Sequence, residues 1–301
     1  MPRSLLWGCL FHVWILAGLF LLTAKAYSQD KNFYVFLCLG QSNMEGFPGI
    51  QAEDKGPVDE RFRMLAAVDF AAGGRYSGPE RKAGNWYNAV PPLCRPGTGL
   101  SPADYFGRTL VANLPSEIKV GVVNVAVAGA KIEIFDRNRY EAYLAATPPN
   151  DFKRAIVKAY GGNPYQHLVE MGKLAQKTGV IKGVLLHQGE SNNNDKEWPN
   201  KVKALYENLL KDLDLKASEV PLLAGELVGA GQGGACASMN KIIAELPKVI
   251  PTAHVVSSEG CISRPDHLHF TPEGYRELGT RFGQKMLSLL GKDIAAASPT
   301  K

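Results

Sequence analysis

Residues 33–39 form an unbroken apolar run that stops at Gly40 and turns polar at Gln41-Ser42-Asn43. A run of this length closed by glycine predicts a buried strand. The pattern recurs twice. Lys119–Ala126 is apolar apart from Lys119 and Asn124 and gives way to Ala128-Gly129-Ala130. Residues 180–186 are apolar apart from Lys182 and lead into His187-Gln188-Gly189-Glu190-Ser191-Asn192. Shorter strands are expected over 61–68, 220–228 and 253–257. Between them the spacing changes to that of helices. Ser101 and Pro102 are placed as cap and first residue of a helix with Phe106, Leu110 and Val111 inward. Residues 163–178 carry Leu168, Met171 and Leu174 on one face, and Gly179 closes that helix. Residues 202–213 form another. Thr271-Pro272-Glu273 opens a last helix bearing Tyr275, Leu278, Phe282, Met286 and Leu289, which Gly291 is expected to end.

Strands alternating with helices argue for an α/β fold with a parallel sheet covered on both faces. No repeat or internal domain boundary is visible. Residues 46–102 are rich in glycine and proline. Within them Trp86 and Tyr87 are open to two readings: stacking on a sugar ring, or packing beneath a long loop.

Composition refines this picture. The chain has 301 residues, 45% hydrophobic and 21% charged, which suffices for one large core. Residues 5–22 are almost wholly apolar after Arg3. Small-x-small sites follow at Ala24-Lys25-Ala26 and Ala26-Tyr27-Ser28. This predicts a cleavable signal peptide over 1–28 and a secreted or periplasmic protein with no stable membrane insertion. The alternative is a retained anchor, since the run approaches the ~18 residues a span needs. Residues 29–291 are then the folded domain and 292–301 a frayed tail. Cleavage removes Arg3 and Lys25 and no acid, lowering the formal charge from +5 to +3. That is too mild to point to nucleic acid. Four cysteines remain, Cys38, Cys94, Cys236 and Cys261, with Cys236–Cys261 the preferred pair because both fall in loop-like sequence. Cys38, inside the first strand, also reads as a small buried hydrophobe.

The strand ends hold the candidate chemistry, because open α/β sheets bind ligands at the carboxyl ends of their strands. Ser42 reads as a nucleophile there, or as a cap for the next helix. A serine nucleophile needs a base and the base needs an orienting group. Asp266 and His269, three apart before the last helix, supply both. His267 is the competing base, set aside because alternate residues of an extended loop point opposite ways. The oxyanion requires donors, for which the Ser42 N–H, the Gly129 N–H and the Gln188 amide converge on one sheet edge. Gln41, Asn43 and Glu190 are supporting candidates. Glu190 either orients Gln188, positions His269, or anchors the Ser42 loop. His187, Glu190, His267 and His269 could pair as metal ligands, but no HExxH-type spacing appears, and no metal is expected. Gly229–Gly234 lacks the Lys-Ser/Thr of a phosphate-binding loop.

Gly40-Gln41-Ser42-Asn43-Met44, His187-Gln188-Gly189-Glu190-Ser191 and Asp266-His267-Leu268-His269-Phe270 together resemble the blocks of the SGNH (GDSL-type) hydrolases. The likeness is to the branch holding the family 6 carbohydrate esterases, the acetylxylan esterases, and the sialate O-acetylesterases. It covers roughly residues 32–290. It implies a flavodoxin-like three-layer αβα sandwich with a central parallel sheet, and a secreted esterase with no cofactor. It implies Ser42, Asp266 and His269 as triad, with Ser42, Gly129 and a polar side chain of the HQGE block at the oxyanion. The block-three asparagine usual in the superfamily is here Gln188. The expected activity is removal of O-acetyl groups from acetylated plant polysaccharide or its oligosaccharides, through an acetyl-enzyme. A sialate O-acetylesterase is the alternative enzyme, and an inactive lectin-like binder of acetylated sugar the alternative of another class.

Overall fold

The computed structural model describes residues 29–297, apart from Pro48, Ala72, Gly74, Arg75 and Ser77, with side chains as far as Gly291. The signal peptide expected over 1–28 lies outside the described residues. Among the described residues no helix is long and apolar enough to cross a membrane.

Seven strands form one sheet: β1 (Asp30–Gly40), β2 (Phe62–Leu65), β3 (Trp86–Asn88), β4 (Lys119–Ala126), β5 (Gly179–His187), β6 (Leu222–Gly225) and β7 (Ala253–Val256). Their order is β3-β2-β4-β1-β5-β6-β7. All neighbours are parallel except β2 and β3. β1 is central, and its inner residues are buried on both faces, which is why its sequence is continuously apolar rather than alternating. The helices are α1 (Ser42–Glu45), α2 (Pro102–Asn113), α3 (Tyr140–Ala145), α4 (Phe152–Ala159), α5 (Pro164–Gln176), α6 (Trp198–Asp212), α7 (Asn240–Ile243), α8 (Leu246–Val249) and α9 (Pro272–Ala297).

Two layers of helix close the sandwich. On one face Phe36 of β1 meets Phe106 of α2, edge on. Met286 of α9 reaches the same face above Gly183. On the other face Leu39, Val184 and Leu186 meet Val202, Leu205 and Leu209 of α6. α5 lies beside α6, where Leu213 covers Gly172.

Several local expectations change. The strand expected over 61–68 is only Phe62–Leu65. Trp86 belongs to the antiparallel edge strand β3, tilts against Phe33 at 4.6 Å and donates its indole N–H to Thr178 Oγ1 at 3.0 Å. It packs at the sheet edge and does not line the cavity described below. Ser101 precedes α2 as expected, but its hydroxyl is buried and makes no capping bond. α9 continues through Gly291 to Ala297. Gly291 lacks the positive φ of a terminating glycine, and good helix formers follow it. Cys236 and Cys261 are both free thiols rather than a disulfide. The Cys236 thiol donates toward the Glu190 carbonyl at 3.8 Å, whereas Cys261 is buried where the charges of Arg281, Glu277 and Glu226 act on it. Cys38 is fully buried in β1.

Candidate active site

The central pairing brings three strand ends level. Gly40 stands opposite Ala126 of β4 on one side and His187 of β5 on the other. The residues after each strand therefore meet at one edge, where neighbouring connections leave in opposite directions. Gly40 has φ +154°, and a Cβ there would run into the His187 carbonyl. Only glycine lets β1 lie this close to β5 and still turn into Gln41-Ser42.

Ser42 is the first residue of α1, and its hydroxyl caps nothing. Its Oγ lies 2.8 Å from His269 Nε2. His269 Nδ1 lies 2.9 Å from Asp266 Oδ2. The other oxygen of Asp266 accepts the N–H groups of Leu268 at 3.0 Å and His269 at 2.9 Å. Burial pushes the Asp266 carboxyl up, but these hydrogen bonds together outweigh it and hold the acid below its ordinary range. Its charged form is thus fixed beside the imidazole, which sets Nδ1 as the protonated nitrogen and leaves Nε2 to face the serine.

The loop is a tight turn rather than an extended segment. His267 sits at its apex with φ +56°, exposed, its Nδ1 3.1 Å from the Gln232 carbonyl. The two histidines do diverge, but because of this turn and not through strand-like alternation.

Neither the Ser42 N–H nor the Gly129 N–H meets a protein acceptor among the described residues. Gly129 has φ +66° in the turn after β4. That turn is held from below: Glu45 Oε1 accepts the Ala128 N–H at 3.4 Å and also the guanidinium of Arg95. Both residues border a cavity of about 850 Å³ lined by Ser42, His269, Gly129, Phe47, Arg95 and Tyr76.

Gln188 departs from expectation. It is 1% exposed and does not border the cavity. Its Nε2 faces Gln41 Oε1 at 3.1 Å, Asn192 Oδ1 at 2.8 Å and the Ala130 carbonyl at 3.3 Å. The amide is engaged inside the protein, so it is not placed as a free donor to the site.

Glu190 takes the anchoring role of the three considered. Its Oε1 accepts Asn43 Nδ2 at 2.5 Å, and none of its bonds reaches Gln188. Asn43 also accepts the Tyr275 hydroxyl. Burial pushes the Glu190 carboxyl up to about 7, against the bond from Asn43. Burial drives the neighbouring His187 down to about 4, so it is neutral, with Nε2 3.0 Å from the Glu226 carbonyl. His187, Glu190, His267 and His269 do not converge: among the described residues no group of three His, Cys, Asp or Glu side chains is arranged to hold a metal.

Sequence reasoning missed Phe47. Its ring, 49% exposed, stacks on the His269 imidazole with centroids 3.8 Å apart and planes 14° from parallel. Arg264 lies 5.3 Å from the centroid of the same ring. A lone phenylalanine after a glycine carries no signal in sequence; an aromatic beside Gly46, with φ +102°, is meaningful only once the turn is seen.

A serine, an imidazole and a carboxylate in hydrogen-bonded series beside two free backbone donors can carry out acyl transfer. Over residues 32–288 the chain matches the family model described as carbohydrate esterase, sialic acid-specific acetylesterase. The chain belongs to this family. This carbohydrate esterase is a carboxylic ester hydrolase acting on O-acetyl groups. Solved structures share its fold. An Arabidopsis thaliana protein is 22% identical with a TM-score of 0.64, over 85% of this chain and 98% of that one. NanS is 16% identical with a TM-score of 0.63, over 88% and 99%. A carbohydrate acetylesterase from Xanthomonas citri is 18% identical with a TM-score of 0.55 over 86% of this chain, which spans 56% of that longer protein.

Proposed function

We propose that the protein is a secreted serine esterase that removes acetyl groups from carbohydrate hydroxyls through an acetyl-enzyme. The observation that carries the mechanism is the series Asp266–His269–Ser42, with contacts of 2.9 and 2.8 Å, whose serine and histidine line the cavity. Ser42 Oγ attacks the acetyl carbonyl while His269 Nε2 takes its proton. Asp266 holds the imidazole and stabilises its positive charge. The carbonyl electrons move to oxygen, which the Ser42 and Gly129 N–H groups receive. Collapse expels the sugar oxygen, which takes the proton from His269. Water, activated by the same histidine, then releases acetate.

The substrate reading is an acetylated plant-type oligosaccharide or polysaccharide. It is supported by a second cavity of about 460 Å³ that shares Phe47, Tyr76, Gly97 and Thr98 with the first, room for more than the acetylated ring. An O-acetyl sialate is the second reading, favoured by the family description. Export rests on the apolar run before residue 29.

Two measurements test this. Ser42→Ala should remove turnover of 4-nitrophenyl acetate while circular dichroism stays unchanged; a folded, active variant would overturn the nucleophile. Acetate release from acetylated xylan, set against release from O-acetyl sialic acid, decides the sugar.

A further inference from the structure

The orientation of each amide around Gln188 is fixed by groups that can only donate. The Trp198 indole N–H lies 2.5 Å from one end of Gln188, which must therefore be the carbonyl oxygen. The nitrogen end then faces Gln41 and Asn192. Asn192 agrees from the other side, since its Oδ1 receives the Ile132 backbone N–H at 2.8 Å. The Ser191 backbone N–H lies 3.2 Å from the same Gln41 oxygen that Gln188 contacts. Two donors on one oxygen settle which end of the Gln41 amide is the carbonyl. Its NH₂ group is consequently turned away from this cluster. Gln41 directly precedes Ser42 and borders the cavity. No partner faces its Nε2 among the described residues, and that atom is not among the buried polar atoms sealed without one.

We propose that the Gln41 side-chain NH₂ is the third donor to the oxyanion, and that Gln188 is the positioning residue that aims it. This rests on the proposed role of Ser42. When Ser42 Oγ bonds to the acetyl carbon, the π electrons move onto the carbonyl oxygen and the Oγ proton passes to His269. The new charge then meets N–H groups from Ser42, Gly129 and Gln41. A neutral amide held in place beforehand gains strength as that charge appears and needs no rearrangement. Gln188, tied to Trp198 of α6 and to Asn192, supplies the rigidity.

The test uses the whole protein with 4-nitrophenyl acetate. Gln41→Glu keeps an oxygen for Gln188 and Ser191, so it should melt near the wild-type temperature, but it turns an acceptor toward the oxyanion. Its kcat should fall by about 10²–10³ with KM changed little. Gln41→Ala should fall similarly. Gln188→Ala should lower kcat too, and combining it with Gln41→Ala should add almost nothing, because it acts through that side chain. A Gln41→Glu kcat within about threefold of wild type, or a loss confined to KM, overturns the inference while Ser42→Ala remains inactive. Activity in Ser42→Ala instead overturns the nucleophile reading on its own.

Discussion

Asn43 Nδ2 donates to the Leu268 carbonyl at 3.0 Å. That one bond joins the neighbour of Ser42 to the neighbour of His269, across 225 residues of chain. The same Asn43 also holds Glu190 and Tyr275, so three elements meet on one fully buried side chain. Asn43→Ala should therefore lower both stability and turnover. Orphaning buried partners costs about 1–3 kcal/mol, or roughly 3–10 °C in a chain of this size. Loosening the serine–histidine approach should lower kcat at least about tenfold. Thermal melts and kcat per folded molecule check both parts; a stable, fully active variant would remove Asn43 from any positioning role.

The two histidines of the last loop should behave very differently. His269→Ala is expected to cost on the order of 10⁴ or more in kcat, as loss of a triad base does. His267→Ala, whose ring reaches only the Gln232 carbonyl, should cost less than about tenfold. Equal losses in steady-state assays would mean the loop, not one imidazole, is what matters.

Glu190 should give the protein a pH-dependent stability. Its carboxyl titrates at about 7 in the fold, above the unfolded value of 4.5. Between these values the native state holds the proton and the unfolded state does not. The contribution is complete below the lower value and is lost as pH rises through the upper one. His187, lowered to about 4, pulls the opposite way between there and its ordinary 6.5. Comparison with Glu190→Gln separates the two. Between pH 5 and pH 8 wild type should lose up to about 3 kcal/mol relative to the variant, read from denaturant midpoints. Parallel curves for the two proteins would refute it.

Phe47→Ala should leave stability almost unchanged, since half the ring is already exposed. The stack on His269 is worth about 0.5–1.5 kcal/mol, so its loss should lower kcat by a factor of about 2–10, and Phe47→Tyr should restore it. A Phe47→Ala enzyme with wild-type kcat would show the stack to be incidental.

The sequence made the sheet centre readable because β1, β4 and β5 are buried on both faces over most of their length and are therefore largely apolar, with only Asn124 of β4 and Lys182 of β5 interrupting the inner runs. Their ends were readable because a glycine or small-residue turn followed by polar residues is not what packing selects. α3 and α4 were not legible: α3 has no buried residue and so leaves no periodic trace, and α4 is two turns long. Ser42, Asp266 and His269 stood out by residue type and place. The direction of the Gln188 amide did not, because it is decided by Trp198 arriving from α6. The free state of Cys236 was hidden for a similar reason, since its neighbour Glu190 lies far off in sequence.

The last helix is docked unusually closely. At Gly279 a Cβ would meet the Pro102 carbonyl and Tyr105, and at Gly283 it would meet Thr109, so α9 lies directly on α2. α9 begins three residues after His269, whereas Ser42 follows the first strand of the sheet. The serine–histidine contact therefore joins the chain just after the first strand to the chain just before the last helix, and both must be in place for it to form. Ester turnover during refolding is for this reason a clock for the final docking event: it should lag any signal from the sheet, and bulk added at Gly279 or Gly283 should lengthen that lag from more than a helical turn away.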